Sequence, residues 1–444
     1  MRAHLRRLFF FLSFIIFFFF GIHILTGRNL LLPVDEDASL VSSEGQENAQ
    51  FTLAYAPGTY MIGHQPKNTA ACIWDYGLPS LFSYSVNNII WSPQQGRKGP
   101  YRILPFIIRG VDQSFDKKLL PQLTLCTHAT ADLVYNIVEI IRRWEGPVSL
   151  AIFVPGYDAG LAVNLLDRAC RCEPEMNKLS VHLIFPANHP PALKNNCPTY
   201  GDCTALDLQI NRSDTERFRL GMTYPINVAR NVAKVLANTS RVLVSDIELL
   251  PSEKLASGFS EMIDGQPPQY GLVFVVPVFE IEENERPPKN KKELMIAMKN
   301  GVAVYFHRYV CIHCQKFPGI TRWMLRPDPG RVKPLIVTRR EYPHHRWEPL
   351  YIGTQEDPLY NEDMSWEGRQ EKMAQMLEMC LLNYHLIILD GAFLVHSPGI
   401  KRKLKKINAS NIYEHSQEKK NAQIYLSITQ NLLKKYPTNK KCRQ

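Results

Sequence analysis

The sequence predicts an α/β fold with a mixed, mainly parallel central sheet, preceded by a single N-terminal transmembrane helix. Three observations predict it: a long apolar run near the N-terminus, an alternation of short apolar runs with helical periodicity after residue 119, and a hydrophobic fraction of 45% in 444 residues, which suffices for a large core. The predicted boundaries are a cytoplasmic tail over 1–7, an anchor over 8–26, a stem over 27–60, a β-rich accessory region over 61–118 and the α/β domain over 119–444.

The predicted anchor is an apolar run from Leu8 to Leu25 that follows arginines at positions 2, 6 and 7. About 18 such residues can just span a bilayer. A cleaved signal peptide has a shorter apolar segment followed by small residues, whereas bulky residues continue here to Leu25, so an uncleaved anchor is favoured. The arginines hold the N-terminus in the cytosol and send the rest of the chain into the lumen.

A lumenal chain meets an oxidising environment. Disulfides are therefore expected for some of the ten cysteines, although their pairing stays open. The sequons at Asn211, Asn238 and Asn408 agree with this placement. The net charge of +10 includes a basic run over 401–406 that could bind nucleic acid, but lumenal topology excludes that partner. An anionic ligand or a solvated surface remains.

The α/β domain begins with alternating elements. Short runs such as Ile103–Ile108 predict strands in the accessory region, and Leu123–Cys126 predicts the first strand of the domain. Helical spacing follows over 133–144. The apolar runs Leu150–Val154 and Val181–Phe185 then predict two buried strands, and strands that alternate with helices imply a parallel sheet.

The next elements place a short acidic segment at a sheet edge. Ile226–Leu236 predicts a helix, Arg241–Val244 a strand, and Ser252 the N-cap of a further helix. Strands at Leu272–Val276, 386–389 and 392–395 complete the sheet. Residues 246–251 therefore follow a buried strand at its carboxyl end, where open α/β sheets bind ligands.

Asp246 and Glu248 lie in this segment, two residues apart. An extended backbone would put both carboxylates on one side, and hard oxygen ligands suit Mn²⁺ or Mg²⁺, which can bridge the phosphates of a nucleoside diphosphate. An acidic pair of this kind is common on solvated surfaces. Its position after a buried strand favours the metal interpretation, which makes Asp246 and Glu248 candidate metal ligands and catalytic residues.

A second motif follows a late strand at Phe393–Lys401, where His396, Gly399 and Lys401 have HxxGxK spacing. A lone histidine is more often a satisfied core residue. Here His396 can supply a third metal ligand, Gly399 lets the backbone approach phosphate, and Lys401 can contact phosphate oxygens. The two motifs together predict a site for a metal and a diphosphate.

The chain resembles the family 49 glycosyltransferases. The resemblance covers roughly 123–401 and rests on five ordered segments, which are IFPANHP at 184–190, YPINVARNV at 224–232, VSDIELLPS at 244–252, WEPLYI at 347–352 and FLVHSPGIK at 393–401. It implies a GT-A fold over the catalytic domain 119–444, dependence on Mn²⁺ with Mg²⁺ as a substitute, and transfer from a UDP-sugar with inversion.

The resemblance also implies substrates and a place of action. Glucuronate is the first choice of donor sugar, ahead of N-acetylglucosamine and xylose, and a xylose-terminated O-mannosyl glycan is the expected acceptor. The enzyme would be a type II protein of the Golgi membrane, where association with other Golgi glycosyltransferases is expected of many enzymes. An inactive lumenal protein that binds glycans or escorts a partner is the alternative, and the intact metal motif argues against it.

Two departures from the family pattern stand out. The second acid of the metal motif is Glu248 rather than aspartate, which should still chelate. The segment 364–369 replaces a glycine-rich aromatic loop, which leaves the acceptor open. Inversion also requires a general base, and the acidic candidates are Glu348, Glu356, Asp357, Asp363 and Glu367, among which the sequence does not choose.

Three further features are assigned with open alternatives. Arg230 is the first candidate to bind a glucuronate carboxylate, or it is a surface arginine of an amphipathic helix. Thr127, in a loop after the first strand, could line a uridine pocket, or the loop only caps a helix. The CxxC pair of Cys311 and Cys314 follows His307 and could bind zinc, although a structural disulfide is favoured.

Overall fold

The computed structural model describes residues 71–110, 121–193, 203, 211–397, 399–402, 410–436, 439 and 441–442. The predicted tail, anchor and stem and the sequon at Asn408 lie outside these residues. Within the described part, no helix has the length and apolar character needed to cross a membrane. Residues 54–444 group into one compact unit.

The strands in chain order are β1 (Ile73–Trp74), β2 (Ile90–Trp91), β3 (Tyr101–Arg109), β4 (Leu123–Thr130), β5 (Val148–Phe153), β6 (Leu179–Pro186), β7 (Arg241–Val244), β8 (Leu249–Pro251), β9 (Leu272–Val276), β10 (Val278–Ile281), β11 (Ala303–Tyr305), β12 (Lys333–Thr338), β13 (Leu350–Gly353), β14 (His385–Asp390) and β15 (Leu394–His396). The helices are α1 (Ile137–Arg143), α2 (Asp158–Cys172), α3 (Glu216–Arg219), α4 (Ile226–Val235), α5 (Leu255–Met262), α6 (Lys291–Lys299), α7 (Ile312–Gln315), α8 (Ile320–Leu325), α9 (Met373–Leu381) and α10 (Ser410–Lys435). Short 3₁₀ helices cover Val86–Asn88, Ala131–Asn136, Pro174–Lys178 and Arg212–Asp214.

A large mixed sheet forms the centre of the fold, with the strand order β1-β3-β6-β5-β4-β7-β13-β9-β14-β12 and β2 paired to β3. This confirms the predicted mixed α/β sheet. Parallel pairing is restricted to the block β6-β5-β4-β7 and to β9 with β14. It is not the main mode of the whole sheet, because β13 runs against both of its neighbours, β3 is antiparallel to β6, and β12 is antiparallel to β14.

The parallel block is buried on both faces, which explains its continuous apolar runs. In β7, Val242 and Val244 pack in one hydrophobic cluster with Val228 and Val232 of α4, whereas Leu243 packs in the cluster on the other face, which includes Leu166 of α2. Side chains alternate across a strand, so helices on both faces are needed to cover such a sheet. The carboxyl ends of β4, β5, β6 and β7 consequently share one edge.

The predicted accessory region contributes β3 to the large sheet. β3 pairs antiparallel with β6, so that Tyr101 lies opposite Pro186 and Ile108 opposite Val181. Tyr101 therefore lies at the edge of the sheet where β4, β5 and β7 also end. This part of the chain extends the sheet, and β1 and β2 pair with β3 in turn.

A second sheet has the order β11-β10-β15-β8. Its ladder between β8 and β15 is antiparallel, with His396 opposite Leu249 and Val395 opposite Leu250. The amide of Ser397 also donates to the carbonyl of Glu248, with an N···O distance of 3.3 Å. This pairing joins the two sequence motifs, which are about 150 residues apart in the chain, into one local structure.

Two local predictions are wrong. Residues Thr127–Thr130 are not a loop, because β4 continues to Thr130 and pairs in register with β5 up to Phe153. Ser252 is not an N-cap, because α5 begins only at Leu255, after Lys254 in a left-handed conformation. Ser252 instead exchanges two hydrogen bonds with the backbone of Phe393, which binds the end of β8 to the start of β15.

Disulfides are present as expected. The pairs are Cys72–Cys170, Cys172–Cys203, Cys311–Cys314 and Cys380–Cys442. Cys126 is a free thiol in the core, and burial raises its pKa, which keeps it protonated and unreactive. Pairing of the two CxxC cysteines with each other selects the structural interpretation of that motif over zinc.

Candidate functional site

Asp246 follows the end of β7 and is the centre of a hydrogen-bond network. Its Oδ1 accepts from His128 Nε2 at 3.1 Å and from Arg230 Nη2 at 3.0 Å, and its Oδ2 lies 3.8 Å from Lys372 Nζ. His128 is on β4, Arg230 on α4, and Lys372 immediately precedes α9. Three separate elements therefore orient this carboxylate.

The charges around Asp246 determine its ionisation. Burial raises the pKa of the carboxyl, but Lys372, Arg230 and His128 outweigh burial and hold the pKa well below its ordinary value. The side chain is 27% exposed, so one part of the carboxylate still reaches the open site. Asp246 is therefore an anion with a fixed orientation over the whole physiological pH range.

His128 is buried, and both of its ring nitrogens are hydrogen-bonded. Nε2 faces Asp246, and Nδ1 lies 2.8 Å from the Tyr224 hydroxyl. Burial lowers the pKa of His128, so the imidazole is neutral. An ionised carboxylate can only accept, so Nε2–H donates to Asp246 and Nδ1 accepts from Tyr224 O–H. The chain Tyr224–His128–Asp246 is thus a directed relay of hydrogen bonds.

Arg230 is almost fully buried, which excludes the surface-arginine interpretation. Its guanidinium bonds Asn227 Oδ1 at 3.0 Å and Asp246 at 3.0 Å, and it lies 3.4 Å from Glu371 Oε1. It also lies 5.3 Å from the centre of the Tyr360 ring. These contacts assign Arg230 to the support of Asp246, and its contact with a donor carboxylate remains a prediction.

Residues 246–249 form a turn and not the extended segment that the sequence predicts. The amide of Leu249 donates to the carbonyl of Asp246 at 3.0 Å. The turn buries Ile247 in the core and leaves both acids partly exposed, with the Glu248 side chain 32% exposed. An extended backbone was expected to expose both carboxylates on one side. The turn exposes both acids instead, because it points the apolar residue between them into the core.

Glu248 and His396 lie together, as the sequence predicts. Glu248 Oε2 is 3.8 Å from His396 Nε2, and His396 Nδ1 lies 3.0 Å from the carbonyl oxygen of Gly399. A carbonyl accepts only, so Nδ1 donates to Gly399, and Nε2 is the ring nitrogen that faces Glu248. Burial raises the pKa of Glu248, but His396 and Lys401 outweigh burial and lower it overall.

The donor set around His396 fits a divalent metal. Nε2 is buried and has no hydrogen-bond partner among the described residues, while a backbone carbonyl fixes the opposite nitrogen. Metal-binding histidines characteristically have this arrangement. In the described ranges, however, no group of three or more histidine, cysteine or acidic side chains is close enough to hold an ion together. The proposed metal site therefore rests on the Glu248–His396 pair, and Asp246 lies two residues before Glu248 in the same turn.

Gly399 and Lys401 have different surroundings. Gly399 has a φ of +110°, a conformation that a side chain would strain, and its carbonyl fixes His396. Lys401 is exposed, with Nζ 5.5 Å from the centre of the Phe306 ring, and its charge reaches Glu248. Gly399 is accordingly a positioning residue in this structure, and Lys401 is a cation free to approach an anion in the site.

Glu348 is the acidic candidate whose environment suits a general base. Burial and the neighbouring carboxylate of Glu371 raise the pKa of Glu348 to about 7. Its main chain is held by Cys314, whose carbonyl accepts from the Glu348 amide at 2.8 Å, and by Gln315 Nε2, which donates to its carbonyl at 2.7 Å. The disulfide-closed segment that includes α7 thus supports Glu348.

The other acidic candidates have structural or peripheral contacts. Asp357 accepts from Thr354 N at 2.6 Å and Tyr384 Oη at 2.9 Å. Glu367 accepts from Arg217 Nη2 at 2.6 Å and from Tyr224 N. Asp363 is exposed and accepts from Gln95 Nε2 at 2.7 Å, and Glu356 is exposed. Of the five, Glu348 shares its electrostatic environment with Arg230 and Lys372.

Thr127 lies within β4 and is fully buried, with a hydroxyl that has no partner among the described residues. A uridine pocket lined by this side chain is therefore not open here. Sequence reasoning missed His128, its neighbour, as well as Tyr224, Glu371 and Lys372. His128 lies in the segment 127–130 and Tyr224 in the segment 224–232. Side-chain alternation along β4 was the signal that could have found His128.

Three comparisons relate the chain to known proteins. The family model described as glycosyl-transferase for dystroglycan matches residues 122–437. The chain is 28% identical over 330 residues to human beta-1,4-glucuronyltransferase 1, and the alignment covers 71% of this chain and 76% of the relative. The zebrafish protein of that name is 27% identical over 361 residues, which covers 77% and 81%.

More distant relatives include zebrafish xylosyl- and glucuronyltransferase LARGE1, 24% identical over 289 residues that cover 62% of this chain and 31% of the relative. Among solved structures, the crystal structure of S. aureus TarS 1-349 aligns with a TM-score of 0.30 and 12% identity, over 62% of this chain and 60% of that one. The family match includes the two motifs around Asp246 and His396.

Proposed function

We propose a specific reaction for this chain, which belongs to the family of glycosyltransferases for dystroglycan and is a glycosyltransferase. The reaction is the transfer of glucuronate from UDP-glucuronate to a glycan acceptor, with a xylose-terminated O-mannosyl glycan as the expected acceptor. The relatives named beta-1,4-glucuronyltransferase 1 support the donor. A GT-A fold, dependence on Mn²⁺ and inversion at the anomeric carbon belong to the same proposal.

One observation carries the proposal. Glu248 and His396 are far apart in sequence, yet the β8–β15 ladder brings Oε2 and Nε2 to 3.8 Å, and Nε2 has no hydrogen-bond partner among the described residues. Such a pair beside an oriented anion, Asp246, is an arrangement of hard ligands and imidazole that suits Mn²⁺. When bound, the ion would neutralise the diphosphate leaving group.

The residues of the chain would divide the remaining tasks. Lys401 and Lys372 present cations to the diphosphate, and the relay from Tyr224 through His128 keeps Asp246 in one orientation. Glu348 accepts the proton of the acceptor hydroxyl while the oxygen of that hydroxyl forms a bond to the anomeric carbon of the donor sugar. The bond from that carbon to UDP breaks, and the electron pair leaves with UDP. Attack on the face opposite UDP gives inversion.

The place of action is also a proposal. The disulfides favour an oxidising compartment. With the anchor predicted over 8–26, the protein would be a type II protein of the Golgi membrane with a stem over 27–60 and the catalytic domain 119–444 in the lumen. UDP-sugar and glycan acceptor are its proposed partners, and association with other Golgi glycosyltransferases stays a prediction.

A donor panel tests the function. The full-length chain in detergent is incubated with Mn²⁺ and each of UDP-glucuronate, UDP-N-acetylglucosamine and UDP-xylose, with and without a β-xyloside. We expect acceptor-dependent UDP release with UDP-glucuronate, and loss of turnover in Asp246→Asn and His396→Ala. Release from another donor alone would reassign the sugar, and no release from any donor would favour an inactive binding protein.

A further inference from the structure

A cluster of exposed aromatic and cationic side chains lies beside the proposed active site. The guanidinium of Arg212 is 5.5 Å from the centre of the Phe218 ring and 5.8 Å from that of Trp366. Both rings are large exposed hydrophobic groups, with Phe218 51% and Trp366 48% exposed. We call Arg212, Phe218 and Trp366 the platform. Half-exposed aromatic rings of this kind can contact a ligand on one face.

The platform is rigid because both of its segments are clamped. Arg217 of α3 donates to the Glu367 carboxylate at 2.6 Å, and the two side chains are each only 5% exposed. Glu367 also accepts from the amide of Tyr224. This buried pair joins the segment that carries Phe218 to the segment that carries Trp366, and it fixes the separation of the two rings.

Two more anchors hold these segments. Asp158, at the start of α2, accepts from the amides of Glu216 and Arg217 at 2.6 and 3.0 Å. On the other side, Asn421 of α10 donates to the carbonyls of Ser365 and Arg369 at 2.9 and 2.8 Å. The backbone around the exposed rings is therefore fully engaged, while the rings themselves are left free. Such preordered aromatics bind at a low cost in conformational entropy.

The platform also adjoins the catalytic edge of the sheet. Asp158 follows β5 at its carboxyl end, and the amide of Trp366 donates to the carbonyl of Tyr224 at 3.2 Å. Tyr224 is the residue whose hydroxyl begins the relay to His128 and Asp246. Tyr224 thus connects the platform to the hydrogen bonds that orient Asp246.

We propose that Arg212, Phe218 and Trp366 form the acceptor subsite, and that the acceptor it recognises is an acidic glycan. This inference rests on the proposed function and names the substrate class of the same site. Aromatic rings stack on the apolar faces of pyranose rings, and a guanidinium is suited to bidentate contact with a carboxylate or phosphate. Arg217 is buried in its pair with Glu367, so Arg212 is the cation of this cluster that a ligand can reach.

Acceptor kinetics test the inference. Three β-xylosides that differ only in the second sugar are compared: glucose, glucuronate and glucose 6-phosphate. We expect the wild type to prefer the two anionic acceptors. Trp366→Ala should raise the acceptor KM about fivefold for all three, and Trp366→Phe should restore most of it. Arg212→Gln should reduce the preference for the anionic acceptors over the neutral one about threefold, as expected for an exposed ion pair.

The donor KM separates the alternatives. A rise in the donor KM of Trp366→Ala, with the acceptor KM unchanged, would make the ring a nucleotide platform and overturn the inference. Equal kinetics of all variants would overturn it as well. The control is Tyr270→Ala, since Tyr270 is 71% exposed and precedes β9 at the opposite end of the sheet. All variants are made in one expression host, because the predicted sequon at Asn211 adjoins Arg212.

Failure of the proposed function has a different signature. If the wild type releases no UDP from any donor, direct binding of the three xylosides to the full-length protein is measured by ligand-observed NMR. Tighter binding of the anionic xylosides, weakened in Trp366→Ala but not in Tyr270→Ala, would keep the subsite for a binding protein. Absence of binding would reject the subsite independently of the chemistry.

Discussion

Asp246 and Glu248 are separated by one residue, yet the two parts of the site around them are built differently. Asp246 is surrounded by donors from three elements, His128, Arg230 and Lys372. Among the described residues, Glu248 has one ion-pairing side chain, His396, at a distance too long for a hydrogen bond. The Asp246 carboxylate is thus held by protein donors, whereas the Glu248 carboxylate remains available to bind a ligand.

This difference shows that an acidic pair in a motif need not be symmetric. Arg230 is buried, and without Asp246 it would keep Glu371, 3.4 Å away, as an acidic partner, so Asp246 contributes to folding as the closer of two carboxylates. Glu248 lies on the turn with a third of its side chain exposed, and within the described part of the chain it forms no ion pair with a buried lysine or arginine. Stability and chemistry should therefore separate between these two positions.

The largest effect is expected from the acids themselves. Asp246→Asn and Glu248→Gln should each reduce turnover roughly 1,000-fold or more, because each removes a charge from the proposed metal site. Only Asp246→Asn should also lower the free energy of unfolding, by about 2 kcal/mol, since it removes the closer of the two carboxylates that pair with the buried Arg230. Turnover and denaturant unfolding of both variants measure this. Equal stability of the two would contradict the asymmetry.

The next effect concerns the base. Glu348→Gln should reduce turnover about 300-fold, within the usual range for a general base. The wild-type pKa of Glu348 is raised to about 7, and the base acts only when deprotonated, so turnover should rise between pH 6 and 8. That limb should be absent in the variant. Glu356→Gln, an exposed acid nearby in sequence, is the control, and a retained limb in Glu348→Gln would assign the base elsewhere.

The next variant tests the Glu248–His396 part of the site by removing the imidazole of His396. His396→Ala should lower the affinity for Mn²⁺ about 100-fold, at the upper end of what changes around a metal site cause, because it removes Nε2 as a ligand. His396 is buried and bonded to the Gly399 carbonyl, so the variant should also lose about 1–3 kcal/mol of unfolding free energy, and the affinity is measured where it is still folded. Mn²⁺ titration by calorimetry gives the affinity. An unchanged affinity would separate His396 from the metal.

The smallest effect is expected at the far end of the relay. Tyr224→Phe keeps the ring in its contact with Phe153 but removes the hydroxyl that donates to His128. His128 then loses the partner that selects its tautomer, and turnover should fall about tenfold. Steady-state kinetics at saturating Mn²⁺ measure it. If the loss disappeared at high Mn²⁺, Tyr224 would act on metal affinity rather than on the orientation of Asp246.

Much of the parallel block was predictable because it is local. Strands such as Arg241–Val244 and Leu272–Val276 were predicted with the bounds observed, since their apolar runs are flanked by clear breaks. Thr127–Thr130 was misassigned because polar residues in a strand look like a loop unless the neighbouring strand is known to cover them. Ser252 was misassigned because a serine caps helices and also binds backbone, and only the position of Phe393 decides between the two.

The sequence by itself determined which residue types could do the chemistry: the acids at 246 and 248, the histidine at 396 and the family that contains them. Only the tertiary structure decided how the acids differ, because the donors to Asp246 come from β4, α4 and the start of α9, distant in sequence. Local rules report a residue's own conformation and its periodic neighbours. Charge and hydrogen bonding depend on what the folded chain brings within a few ångströms, and this is set by strand order and register.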